Sequence, residues 1–252
     1  MVTKMIEAAC HEMMFDLYRT SYAGEYRLTF RALDEHTCAV TGIEGDSPVR
    51  LSVPDTAPDG RVVAAVGDRA FSGCASLRTV SLPDSVTSVG VRAFAFCTSL
   101  LEVRLGRDSR LASIGARAFM GCDRLPMIRL GHLRELISVG DKAFAYCRNL
   151  RSAVLPDSLQ YVSDGMFEGC RRLEHIRLPG YLLHIGASAC SACVSLASVS
   201  LPESLIAVDD AAFSCCDSLT CVRLPASPCI FSATAFSECP VSLGGTGDLK
   251  AV

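Results

Sequence analysis

AFSGCASLRTVSLPDSVTSVG, residues 70–90, is written with small changes again and again down the chain. Aligned on the Ala-Phe pair, its copies start at Ala70-Phe71, Ala93-Phe94, Ala118-Phe119, Ala143-Phe144, Met166-Phe167, Ala189-Cys190, Ala212-Phe213 and Ala235-Phe236. The steps between them are 23, 25, 25, 23, 23, 23 and 23 residues. Three residues after each Phe-type position stands a cysteine: Cys74, Cys97, Cys122, Cys147, Cys170, Cys193, Cys216 and Cys239. Three further on comes Leu, as at Leu77 and Leu100, and then an apolar-x-Leu pair such as Val80-Leu82, Ile128-Leu130 or Val222-Leu224. Pro often closes that run, at Pro83, Pro156, Pro179, Pro202 and Pro225.

A repeat of this length with L-x-x-L-x-L spacing predicts a solenoid. One copy cannot bury its own apolar side chains, whereas stacked copies complete one another. Val80-x-Leu82 alternates with period two and reads as a short strand. Pro83 stops it, and Asp84-Ser85 turns the chain. Val86 and Val89 form a second apolar edge, and Gly90 allows a tight corner. Ala93-Phe94 then begin a short helical turn whose Phe plugs the core.

These residues resemble the BspA-like leucine-rich repeats, whose 23-residue unit runs AF-x-x-C-x-x-L-x-x-V-x-L-P-x-S. The match covers residues 49–240. The resemblance implies a right-handed superhelix of short strands and short helical turns. It implies a binding scaffold and no catalytic activity, since the fold carries many unrelated partners. Members of the family are often surface proteins of bacteria or protozoa that hold proteins of a host or a neighbouring cell.

The flanks divide the rest. Ile6, Ala9, Met13 and Leu17 recur at helical spacing, so residues 3–20 read as an amphipathic helix within an N-terminal segment 1–24. Residues 25–66 read as a β cap: Tyr26–Phe30 and Thr37–Val40 alternate like a hairpin, and Leu51–Pro54 with Val63–Gly67 look like an incomplete first rung. Residues 67–240 carry the repeats, and 241–252 form a Gly-rich tail. Within the repeats, two copies hold two extra residues, near Gly106–Asp108 and Gly131–Leu133, and should bulge after the strand. Pro126 sits where a strand amide would be. Cys190 replaces a plug Phe and should leave its rung underpacked. Ala153 replaces a larger strand residue.

The formal net charge of −3 gives no general pull toward nucleic acid. No stretch approaches the roughly 18 apolar residues that span a bilayer. Glu7, His11, Glu12 and Asp16 interrupt any secretory core at the start. The chain as given is therefore expected in the cytoplasm, and at the cell surface or outside if an export segment has been removed.

Fourteen Cys invite three readings. The eight in-phase thiols should point inward and stack as a structural ladder, each a small hydrophobe with a weak donor. Pairing of adjacent rungs would demand strained, redundant disulfides. Cys190-Ser191-Ala192-Cys193 is a formal C-x-x-C, with Cys215, Cys216 and His184 nearby, and could imitate a zinc or redox site. Against that, Cys190 and Cys193 fall on inward positions. No G-x-S-x-G, H-E-x-x-H, P-loop or G-x-G-x-x-G is present. No catalytic residue, metal ligand or cofactor is assigned.

One surface follows from the repeat. Residues beside the inward strand pair face outward, on the inner curve of the solenoid. One column is Ser81, Arg104, Arg129, Val154, Arg177, Ser200 and Arg223. Its neighbour is Thr79, Glu102, Met127, Ser152, His175, Ser198 and Cys221. Arg104, Arg129, Arg177 and Arg223, with Glu102 and His175 beside them, would make a stripe about 24 Å long at ordinary strand spacing. Arg suits bidentate contact with carboxylates, so the stripe fits an acidic protein segment or a glycan. Solvated Arg that merely keeps strands soluble explains the same column. Aromatic stacking platforms for nucleic acid are missing. The leading expectation is a protein-binding module. The alternatives are a structural or self-assembling protein that uses the N-terminal helix, and a redox or zinc protein built on Cys190, Cys193 and Cys216.

Overall fold

The computed structural model describes residues 26–241, together with two short strands at Tyr18–Arg19 and Leu249–Lys250. The helix expected over residues 3–20 lies outside the described residues except at its end. There Tyr18–Arg19 form a strand, β1, that pairs antiparallel with Leu28 and Arg27. The open edge of the hairpin takes these residues up, which outweighs their helical spacing. Among the described residues there is no helix.

The hairpin is β2 (Tyr26–Ala32) and β3 (Thr37–Gly45), bulged between Thr29 and Phe30. Asp34 closes its turn by accepting the His36 and Thr37 amides, each at 2.8 Å. Beyond it the chain coils, and each rung gives two short strands. One series falls on the apolar-x-Leu pairs: β4 (Arg50–Ser52), β6 (Thr79–Leu82), β8 (Glu102–Leu105), β10 (Met127–Arg129), β12 (Ser152–Val154), β14 (His175–Arg177), β16 (Ser198–Ser200) and β18 (Cys221–Arg223). The other falls on the second apolar edge: β5 (Val62–Val66), β7 (Ser88–Val89), β9 (Ser113–Ile114), β11 (Ser138–Val139), β13 (Tyr161–Val162), β15 (His184–Ile185), β17 (Ala207–Val208) and β19 (Ile230–Phe231). Successive rungs run the same way, so pairing within each series is parallel. At the ends, β3 pairs with β5, and β20 (Leu249–Lys250) pairs antiparallel with β18.

The predicted helical turn after Gly90 is not a helix. Ala93, Ala95 and Cys97 donate within the rung, to the Gly90, Arg92 and Phe94 carbonyls at 3.3, 3.1 and 3.3 Å. The amides between them, Arg92, Phe94 and Phe96, donate to Ala116, Ala118 and Met120 of the next rung at 3.0, 2.8 and 2.7 Å. A helix would spend every amide locally; here half of them stack the rungs. The alternation places Arg92 at φ 55° and Phe96 at φ 59°. Arg69, Arg117 and Lys142 repeat the first of these left-handed positions.

Gly90 is needed for a different reason. A Cβ there would lie 2.6 Å from the Asp68 amide nitrogen, and at Gly115 it would lie 2.7 Å from the Gly90 carbonyl carbon. Rungs touch backbone to backbone at this corner, so a Cβ at Gly90 or Gly115 would force a local shift. Asp209 and Ser232, in the same column of later rungs, still make the corner bond, to Ile185 and Val208 at 2.9 Å. Gly90, Gly115 and Gly140 donate across it to Val66, Val89 and Ile114. Ser163 occupies the same column. It makes no such bond, its hydroxyl is buried without a partner, and β11 and β13 do not pair.

Inside, Phe71, Phe94, Phe119, Phe144 and Phe167 stack with ring centres 5.2–5.8 Å apart. Cys190, itself buried, interrupts the stack, which resumes between Phe213 and Phe236 at 5.2 Å. One continuous core runs from Tyr26 to Val241. The strand series on the apolar-x-Leu pairs is less continuous. It divides into β4-β6-β8, β10-β12-β14 and β16-β18-β20.

Candidate strand-face binding surface

The cysteine ladder lies inside. Cys74, Cys97, Cys122, Cys147, Cys170, Cys193 and Cys216 are buried free thiols, and Cys239, in the last rung, is half-buried. From Cys97 on, each thiol donates to the plug carbonyl of the rung before. Cys97 reaches Phe71 at 3.1 Å, Cys122 reaches Phe94 at 3.3 Å, Cys147 reaches Phe119 at 3.2 Å and Cys170 reaches Phe144 at 3.2 Å. The period alone points the thiol inward; its carbonyl partner requires the stacked geometry. Burial pushes the Cys97 and Cys147 thiols up to about 12.

The formal C-x-x-C does not gather a metal site. Cys193 donates to the Phe167 carbonyl at 3.3 Å and Cys216 to the Cys190 carbonyl at 3.2 Å, both in the core. His184 stands on the other strand series and pairs with Asp209 at 2.9 Å. Among the described residues no group of three His, Cys, Asp or Glu side chains is placed to hold a metal ion.

The two columns of the strand face point outward. Register sets Arg129, Val154 and Arg177 side by side in one sheet, Ser81 beside Arg104 in another, and Ser200 beside Arg223 in the third. All four Arg are exposed, as are Glu102 and His175. The stripe is thus broken into three groups by the gaps between sheets. Its charge is uneven as well. Glu102 holds Arg104 at 2.8 Å, and this guanidinium keeps the Glu102 carboxyl below its usual range. Asp157 stands 4.0 Å from Arg177. Arg129 and Arg223 make no ion pair among the described residues.

The gap between β8 and β10 is an open cleft of about 780 Å³. Val103, Leu105, Ile128 and Leu130 wall it, Ile114 and Phe119 lie at its floor, and Arg104, Arg129 and His132 stand at its rim. In most other rungs the strand entry is pinned: Leu101 donates to Arg78 at 2.8 Å, and Arg151 to Pro126 at 2.8 Å, although Ala197, before β16, makes no such bond. Pro126 occupies that position in its own rung and has no amide to give. Met127 makes no bond corresponding to Glu102 to Arg78 at 3.2 Å or His175 to Arg151 at 3.1 Å. The two 25-residue rungs flank the same gap, and their extra residues follow β8 and β10 as turns. Pro126 and the doubled insertion were the sequence signals for this cleft; each reads as a local irregularity until the rungs are stacked.

The stacked parallel rungs, plug stack and thiol ladder define a leucine-rich-repeat β-solenoid. The model of the BspA type leucine rich repeat region matches in six copies, over residues 61–135 and 112–242, more than half of the chain. The chain belongs to that family. Among solved structures it is similar to a leucine rich cell surface protein of Faecalibacterium prausnitzii, at 27% identity and a TM-score of 0.72, over 83% of this chain and 55% of that one. It is also similar to the leucine-rich repeat protein of T. pallidum, at 29% identity and a TM-score of 0.53, over 72% of this chain and 87% of that one. The chain thus spans about half the length of the F. prausnitzii protein. Comparison with curated proteins returned no match. Among the described residues no helix is long and apolar enough to cross a membrane.

Proposed function

We propose that this chain is a non-enzymatic interaction module that holds an acidic protein segment against its strand face. The observation that carries this reading is the exposed column in which Arg129 and Arg223 make no ion pair among the described residues and Arg177 is held only at 4.0 Å. A rigid stack of rungs fixes these guanidinium groups at set intervals, which lowers the ordering cost of binding. Arg presents a planar fork to carboxylates. The family supplies interaction scaffolds, and the description of the F. prausnitzii relative as a cell surface protein supports placing this module at a cell surface.

The test is capture of a partner from lysate and from the surroundings of the native host. The triple variant Arg129→Glu, Arg177→Glu and Arg223→Glu is expected to lose at least about tenfold in capture, and wild-type capture should weaken as salt rises. Unchanged capture by the triple variant removes the strand face as the binding surface.

A further inference from the structure

We infer that the opening between β8 and β10 accepts an extended segment of a partner as an additional strand. An acidic residue of that segment faces outward between Arg104 and Arg129, and the apolar residues on either side of it face the core. This rests on the strand face being the surface that meets the partner.

Backbone pairing is the first argument. β8 is hydrogen-bonded to β6 only and β10 to β12 only, so two strand edges face each other across the cleft with no strand between them. The Met127 amide and the Leu101 carbonyl, which the pattern of neighbouring rungs would join, have no backbone partner. Paired edges are the stable state of a sheet, and an edge held open is a template for an added strand. An amphiphile without a backbone would fill the cleft and leave both edges unpaired.

The opening is a wedge. On the other faces the same rungs stay in contact: β7, β9 and β11 are paired in series, and Phe94, Phe119 and Phe144 stack at 5.2 and 5.4 Å. Only the strand side is splayed, and the extra residues after β8 and β10 give the chain the length to span it.

Register then fixes the sequence of the guest. Inward positions on the walls are Val103 and Leu105 on one side and Ile128 and Leu130 on the other. Val103 and Leu105 are half-exposed, where Val80 and Leu82 one rung earlier are 0% and 3% exposed. Two apolar guest residues, one position apart, would cover them. The outward position between them falls between Arg104 and Arg129. Glu102 already occupies Arg104, whereas Arg129 has no ion pair among the described residues, so a carboxylate completes the group. The motif is apolar-acidic-apolar.

Fluorescence anisotropy of the purified protein with labelled acetyl-Ser-Val-Glu-Leu-Ser amide tests this. Saturable binding is expected. The peptide with Lys in place of Glu should bind at least about tenfold more weakly, and so should the peptide N-methylated at alternate amides. Arg129→Glu should reverse the order of the Glu and Lys peptides. Absence of saturation at millimolar peptide, or equal binding of the N-methylated and parent peptides, overturns the inference. No partner is present in this measurement, so its failure leaves the capture result untouched, and loss of capture leaves the peptide result untouched.

Discussion

The Cys122 thiol ties one rung to the one before: it sits fully buried and donates to the Phe94 carbonyl at 3.3 Å. The same bond recurs at Cys97, Cys147, Cys170 and Cys193. Burial holds these thiols protonated, and the thiolate is the reactive form. Alkylation with N-ethylmaleimide at neutral pH should therefore modify the exposed Cys221 quickly and reach these five only after denaturation. Peptide mass spectrometry reads the outcome, and modification of Cys122 as fast as Cys221 contradicts it. The inward direction of the thiols was legible from their phase against Phe. The left-handed residues were not. Arg69, Arg92, Arg117 and Lys142 have ordinary side chains, and their φ of 55–58° comes from the alternation of local and inter-rung amide bonds. That alternation exists only once a neighbouring rung is in place.

At the scale of the element, each rung is held by short strands plus the corner between them, and each ladder breaks at an identifiable place. Ser163 marks the break in the corner ladder: it stands in the column of Gly90, Gly115 and Gly140 without their cross-rung bond, which Asp209 and Ser232 in the same column do make. Its buried hydroxyl has no partner. Replacing it, Ser163→Gly, should raise stability by about 1 kcal/mol, since an unsatisfied hydroxyl costs more than the added backbone entropy of glycine. Urea unfolding measures this, and a lower midpoint refutes it. Pro126 and the two long rungs mark the break between β8 and β10. Nothing in the structure explains why β14 and β16 also fail to pair, although that break falls at the rung plugged by Cys190. The strands were largely legible because period two and Pro83-type stops are local signals. The hairpin and first rung were legible for the same reason. The helix expected through residue 20 gave way at Tyr18–Arg19, where the hairpin edge offers hydrogen bonds that spacing along a single segment does not register.

Across the whole molecule, the ladder couples stability to pH. Burial pushes Cys97 and Cys147 up to about 12 in the fold against about 9 when unfolded and also raises Cys122 and Cys170, while a hydrogen bond with the Cys190 side chain, and then burial, raises Cys193. A raised folded value stabilises the native state fully below about 9, and that contribution is lost as pH climbs from there through about 12. Each pH unit in that window removes up to ~1.4 kcal/mol per thiol. For Cys97 and Cys147 together the loss reaches ~3 kcal/mol by pH 10, a large share of the stability of a domain. Unfolding midpoints in urea should hold from pH 7 to 8 and fall steeply between 9 and 10, and a flat profile through pH 10 rules this out. The period carried the architecture, because a solenoid is its repeat multiplied. It also carried the Arg column of the strand face, but not the opening between β8 and β10, because that opening is a failure of the repeat. The strand face opens between β8 and β10 while the other ladders of the same rungs stay closed. Residue-resolved amide hydrogen exchange tests this directly. The Met127 amide should exchange much faster than its counterparts Glu102 and His175, which are bonded to the preceding rung at 3.2 and 3.1 Å. Equal protection at all three positions would mean that the strand face is closed and the account of the site is wrong.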